Sequence, residues 1–496
     1  MYDILIKNGL ILNGTGSPAI RGEVAVKDGK IVKIARHIPG EAKTVIDAAG
    51  KVVTPGFIDS HSHADSTVKT HPEQIEKVEQ GITTSVAGQC GGSVCGKDAA
   101  EFLDAYRGTK LGANMALLIG HGTLRKAVLG AEGREPTPEE LEKMKAMMRD
   151  AMEHGALGVS FGLIYAPGCF AKTNELMEIA KVVGEYHGIA AIHLRSESDQ
   201  LAAAVREFIE IVRASGVRGV VSHHKVTGLY ENWGKVHTTL RMIDQANAEG
   251  LELYADVYPY AASSTGFSAA FIPTAWRDGG KAAVLKHAND PEQVALIKEA
   301  YYKKYPDMGW IMAARCPGYE QYNGLRVPEI AARMGKDEFD AAMELVRLTG
   351  DGTLGCFFSM CEEDVETVMR HPRVMICTDS GVKTKDGYHP RMRGSFPRVL
   401  GRYVRERKVT SLPEMIRKMT AMPAAVYGFK NKGLLWEGFD ADICIFDPDA
   451  IIDRADYVSP DLRAEGLDYV IVGGKIAAVN AVATGELGGR MLYREV

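Results

Sequence analysis

Two histidines one residue apart close a short apolar run, Thr54-Pro55-Gly56-Phe57-Ile58-Asp59-Ser60-His61-Ser62-His63. In a β-strand, residues i and i+2 face the same side, so His61 and His63 would aim their imidazoles at one spot. Converging neutral imidazoles begin a site for zinc or a similar transition metal. Alone, the pair has a blander reading, one ring packed and the other solvated. Four further runs end in groups that remove this ambiguity: Gln89-Cys90-Gly91-Gly92, Ile192-His193-Leu194-Arg195-Ser196-Glu197, Ser222-His223-His224-Lys225 and Cys377-Thr378-Asp379-Ser380. A cysteine thiolate with two imidazoles makes a three-ligand zinc shell that leaves a position for water or substrate. A nearby carboxylate can then act as base toward that water, and Asp379 is the candidate.

Each of these groups sits where an apolar run stops, so strands must deliver them. Eight candidate strands lie at Phe57 to His63, Thr83 to Cys90, Met115 to His121, Gly158 to Tyr165, Ile189 to Ser196, Gly219 to Lys225, Leu253 to Tyr260 and Val374 to Ser380. Helical stretches such as Pro138 to His154 and Ala202 to Ser215 separate most of them. Eight strand–helix units predict a (β/α)8 TIM-like barrel over 55–425, whose active site belongs at the C-terminal strand ends. The stretch 285–350 is too long for one connecting helix and is read as a small, mostly helical insertion. Both chain ends are different in kind: Ile4-Leu5-Ile6, Val24-Ala25-Val26, the Asp28-Gly29-Lys30 turn and Asp442-Ile443-Cys444-Ile445-Phe446 read as short strands and hairpins. Residues 1–54 and 426–496 therefore predict one small β-sandwich domain built from both termini.

Bulk composition is that of an ordinary soluble enzyme. The 496 residues are 46% apolar and 25% charged, with a net charge of −5, which argues against nucleic acid or an anionic membrane as partner. No leader or membrane-spanning run is read from the chain. Eight cysteines without framework spacing suit reduced thiols in a cytoplasm.

The opening Pro55-Gly56-Phe57-Ile58-Asp59-Ser60-His61-Ser62-His63 resembles the first-strand signature of the amidohydrolase superfamily, and Gly433 to Ile443 resembles its return into the β-sandwich. Gly81-Ile82-Thr83-Thr84 leading to Gln89-Cys90-Gly91, together with Ser222-His223-His224-Lys225 and Asp256-Val257-Tyr258-Pro259-Tyr260, is similar to the N-acyl-D-amino acid deacylases, or D-aminoacylases. That resemblance implies zinc-dependent hydrolysis of N-acyl-D-amino acids. It implies a tightly held zinc on Cys90, His193 and His223, with His61 and His63 beside Asp379 lining a second, weaker position. It also implies that Lys225, Tyr258, Ser264 and Arg391 cradle the substrate α-carboxylate, with Tyr165 near the scissile carbonyl. An anionic carboxylate does need a lysine or arginine plus hydroxyl donors to be held in one orientation.

Other readings stay open at this stage: hydrolysis of a cyclic amide, a dipeptide or another N-acylated small molecule, or an inactive amidohydrolase-like scaffold. The expected partner is a small N-acyl amino acid, and a homo-oligomer is compatible with the chain.

Overall fold

Eight short parallel strands form the frame of the site in the computed structural model, which describes residues 1–130, 132–228, 230–382 and 388–494. They are β1 (Phe57–Asp59), β2 (Ile82–Ala87), β3 (Asn114–Gly120), β4 (Gly158–Gly162), β5 (Ile189–His193), β6 (Arg218–Val221), β7 (Leu253–Val257) and β8 (Val374–Ile376). They pair in chain order from β1 to β8. The circle closes just beyond the strand ends, where Asp379 N–H donates to His61 O at 2.9 Å and His63 N–H donates to Ser380 O at 3.0 Å.

Strand periodicity sorts the side chains. Along β3, Ala116 and Leu118 join Val86, Ala191, Val220 and Met375 in the barrel interior, whereas Met115, Leu117 and Ile119 pack outward beneath the helices. The helix Ala421–Tyr427 contributes Met422, Val426 and Tyr427 to the interior cluster and so plugs the floor. The outer helices carry their own start signals: Pro138–Glu153 opens with Pro138 in its first turn and a capping box between Thr137 and Glu140.

The β1–β8 seam holds a buried ion pair. Lys77 Nζ donates to Asp59 Oδ2 at 2.8 Å, to Thr378 Oγ1 at 2.9 Å and to Ser380 O at 2.9 Å. Asp59 also accepts from Thr378 N at 2.8 Å and Thr378 Oγ1 at 2.7 Å. Every charge here has a partner, which is the condition under which buried ions are tolerated.

The termini form a second, nine-stranded sheet. Val52–Pro55 runs antiparallel to Ile443–Phe446 and joins the strands of the two chain ends. Ile443 and Ile445 enter a core with Ile4, Ile6, Val24 and Val26. Cys444 and Phe446 face the other way, and Phe446 packs on Phe57 of β1 at 6.4 Å between ring centroids. The fold is thus a (β/α)8 barrel carrying a small β-sandwich built from both termini.

A lobe separates β7 from β8, and it is larger and more sheet-like than the expected helical insertion at 285–350. It begins with Ser263–Gly266 and ends with Leu354–Phe357, which pair antiparallel with each other. Ile311–Arg315 and Leu325–Arg326 complete a four-stranded sheet. Helices Lys281–Ala288, Pro291–Tyr302, Val327–Met334 and Glu338–Leu348 pack around a separate core that includes Phe267, Tyr301 and Phe339.

Candidate active site

Cys90 is the hub. Its Sγ lies 3.3 Å from His61 Nε2, 3.3 Å from His223 Nε2 and 3.6 Å from His193 Nδ1. These atoms come from the ends of β1, β2, β5 and β6, four separate segments of chain meeting above the barrel interior. Ligand atoms of His61, Cys90, His223 and Asp379 all lie within 4.8 Å of one another. His63 stands at the edge, its Nε2 3.1 Å from Asp379 Oδ1, with His61 Nε2 3.4 Å from the same oxygen.

The backbone is bent to bring them there. Cys90, His223 and Asp379 all adopt positive φ, at 55°, 37° and 49°. That conformation costs non-glycine residues on the order of 1–3 kcal/mol each and persists only where its surroundings over-determine it. At Cys90 the surroundings include Gly162, on which a Cβ would sit 1.9 Å from Cys90 O. At His223 the backbone N–H donates to buried Asp256 Oδ1 at 2.5 Å. At Asp379 the Lys77–Asp59 pair grips the residues on both sides.

The electrostatics favour neutral His61 and His193 beside ionised carboxylates. Burial drives His61 well below its usual range and takes His193 down to about 3. For Asp379 burial pulls upward, but Arg391, whose Nη1 donates to Asp379 Oδ2 at 2.7 Å, and the imidazoles hold the carboxyl well below its usual range. Burial, reinforced by Asp379, pushes the Cys90 thiol well up. Among the described residues, buried His61 Nδ1 and His193 Nε2 have no hydrogen-bond partner. A soft sulfur among imidazoles, with its thiolate disfavoured until a cation arrives, fits a thiophilic divalent metal such as zinc.

A cavity of about 770 Å³ opens over the hub and is lined by Lys225, Tyr165, Tyr258, Ser264, Asp379 and Arg391 among others. Lys225 and Arg391 flank the face of the Tyr258 ring at 5.6 and 5.0 Å from its centroid. Ser264 comes from the first strand of the lobe; its Oγ donates to Gly355 O at 2.7 Å, and its carbonyl accepts from Arg391 Nη2 at 3.3 Å. Tyr165 sits edge-on to His193, at 5.1 Å between ring centroids. Of the candidate site residues named from the sequence, ten line this cavity: His63, Cys90, Tyr165, His193, His223, Lys225, Tyr258, Ser264, Asp379 and Arg391; His61 is fully buried beneath it. His224 points elsewhere, bonding Thr239 Oγ1 at 2.8 Å.

Glu197 is the residue that the sequence reasoning passed over. Its carboxylate lies 2.7 Å from Lys225 Nζ, 3.1 Å from His223 Nδ1 and 3.6 Å from His193 Nε2. Burial opposes its ionisation, yet Lys225 and the two imidazoles hold it well below the usual carboxylate range. The only available signal was its place four residues after His193. Asp256, at the end of β7, is the second such support; burial raises it to about 7.

Residues 44–478 match the amidohydrolase family. The chain belongs to that family. Among full-length relatives, it is 34% identical over 513 residues to an N-acyl-D-glutamate deacylase of Alcaligenes xylosoxydans xylosoxydans, covering 99% of this chain and 97% of that one. It is 32% identical over 514 residues to a D-aminoacylase of the same organism, covering 99% and 98%. A solved structure of N-acyl-D-glutamate deacylase from Bordetella bronchiseptica, complexed with zinc and a phosphonate that mimics the tetrahedral intermediate, superposes on this amidohydrolase with a TM-score of 0.86. The sequences share 34% identity, and 99% of each chain is covered.

Proposed function

We propose that this amidohydrolase cleaves the amide bond of N-acyl-D-amino acids, releasing a D-amino acid and a carboxylate. The observation that carries the reading is the convergence of Cys90, His61, His193, His223 and Asp379 beneath one cavity. The full-length relatives, a D-aminoacylase and an N-acyl-D-glutamate deacylase, support the substrate class and its chirality. Cys90, His193 and His223 would hold one tightly bound zinc; His61 and His63 with Asp379 would line a second, weaker position. Zinc there supplies Lewis acidity toward the acyl carbonyl and toward water.

The chain's own groups do the rest. Asp379, kept ionised by Arg391, accepts the proton of the attacking water and delivers it to the leaving nitrogen. Glu197 accepts from Lys225 and lies 3.1 Å from His223 Nδ1, with Lys225 Nζ 2.8 Å from the same nitrogen, and the pair fixes the ring so that Nε2 faces Cys90. Lys225, Tyr258, Ser264 and Arg391 hold the substrate α-carboxylate, and Tyr165 stands beside the scissile carbonyl. A full set of donors at the cavity favours an enzyme over an inactive scaffold.

Among the described residues no helix is long and apolar enough to cross a membrane. The eight cysteines are all unpaired, which supports a reducing compartment such as the cytoplasm. Hydrolysis of N-acetyl, N-formyl and N-succinyl amino acids, each as D and L forms, tests the reading. Turnover confined to D forms is expected; turnover of L forms only, or of none of these compounds, would overturn it.

A further inference from the structure

The proposed carboxylate cradle is drawn from separate pieces of chain. Tyr258 and Ser264 lie on the segment that leads from β7 into the lobe, whereas Arg391 opens the helix Arg391–Arg398. Arg391 and Ser264 are 127 residues apart in sequence, and the one bond between them, Arg391 Nη2 to Ser264 O, is long at 3.3 Å. Something else must hold the two pieces at a fixed spacing.

A buried imidazole joins them. His389 is fully buried and does not line the cavity. Its Nδ1 accepts from Arg391 N–H at 3.0 Å, and its Nε2 lies 3.1 Å from Ala262 O. A backbone N–H only donates and a carbonyl only accepts, so these partners assign the neutral tautomer with its proton on Nε2. Burial, with Arg391 close by, keeps the ring well below its usual range and so in that form. The ring stands edge-on to Tyr260 and Tyr457, at 5.2 and 5.1 Å between centroids, which fixes its orientation.

The same helix holds the segment 258–264 at a second point. Arg398 Nε donates to Pro259 O at 2.8 Å. Between the two anchors the helix presses close, since a Cβ on Gly394 would sit 2.6 Å from Tyr260 Oη. Of the two anchors, His389 is the nearer to the cradle in sequence: its partner Ala262 stands two residues before Ser264, and its other partner is Arg391 itself.

We propose that His389 is a positioning residue for substrate binding: its bond to Ala262 O sets the spacing of Arg391 from Ser264 and Tyr258, and so the fit of the cradle to the substrate α-carboxylate. This role rests on the deacylase reading above. A carboxylate gripped from two sides is sensitive to the placement of its donors. It is held alike in the ground and transition states, so loosening the cradle raises KM and spares kcat.

The test measures KM and kcat of full-length wild type, His389→Gln, His389→Asn and His389→Ala, with circular dichroism to confirm the fold. The substrate is whichever D compound the wild type turns over fastest in the screen above. Glutamine can present an N–H toward Ala262 O. Asparagine can accept from the N–H two residues on but cannot span to Ala262. His389→Asn and His389→Ala should raise KM about 10-fold, the scale of one lost buried hydrogen bond, with kcat within about threefold of wild type. His389→Gln should keep KM near the wild-type value. If His389→Ala fails to fold, the glutamine and asparagine variants decide the question. An active wild type with His389→Gln no better than His389→Asn, or with kcat lost at unchanged KM, overturns the positioning role alone. A wild type that turns over nothing in the screen overturns the deacylase reading and this role with it.

Discussion

The barrel rim and the terminal sheet are built on opposite terms. In the terminal sheet, period-2 alternation puts Ile443 and Ile445 into one core and Cys444 and Phe446 against the barrel. At the rim, a thiol, four imidazoles and two carboxylates are crowded within ion-pair distances, and three of the key residues hold positive φ. The sheet is stabilised by burying apolar area. The rim spends part of that stability on strain and desolvation, as functional sites do. The two regions should therefore respond to mutation in different observables.

The largest effect is expected from Asp379→Asn. Losing the proton acceptor should cut kcat by about 10²–10⁴-fold per folded molecule, measured by turnover normalised to the circular-dichroism signal. A variant retaining wild-type kcat would remove Asp379 from the chemistry. The mirror experiment is Ile445→Ala in the terminal sheet. Truncating that buried side chain should cost about 2–5 kcal/mol of stability in denaturant titration, with kcat per folded molecule unchanged. A comparable drop in kcat would mean that the two regions are coupled. The smallest effect is expected from Glu197→Gln, which keeps the shape but weakens the hold on His223 and Lys225. Zinc affinity should fall about 10–100-fold in chelator competition, the usual scale for a group that orients a metal ligand. Unchanged affinity would make Glu197 a partner of Lys225 alone.

The frame and most of the cavity residues were legible in the sequence for one reason. Strand periodicity and strand ends leave a local mark, so His61, Cys90, His193, His223 and Asp379 could be found where apolar runs stop. The lobe left no such mark. Its strand Ser263-Ser264-Thr265-Gly266 is polar and half-exposed along its length, and Leu325–Arg326 has only two residues. Their pairing is decided by contacts remote in sequence. Glu197 lies in a loop, and Lys77 reaches Thr378 and Ser380 across the β1–β8 seam, so these partners appear only once the barrel has closed. Positive φ at Cys90, His223 and Asp379 is likewise imposed by neighbours, not by the residues themselves.

The central claim is that Cys90 organises a zinc centre required for amide hydrolysis. Zinc content and N-acyl-D-amino acid hydrolysis of wild type and Cys90→Ala, measured on the same preparations, test it most directly. The wild type should retain about one tightly held zinc per chain, and Cys90→Ala should lose both that zinc and its activity while keeping its fold. A Cys90→Ala protein with undiminished activity, or an active wild type free of metal, would contradict the account.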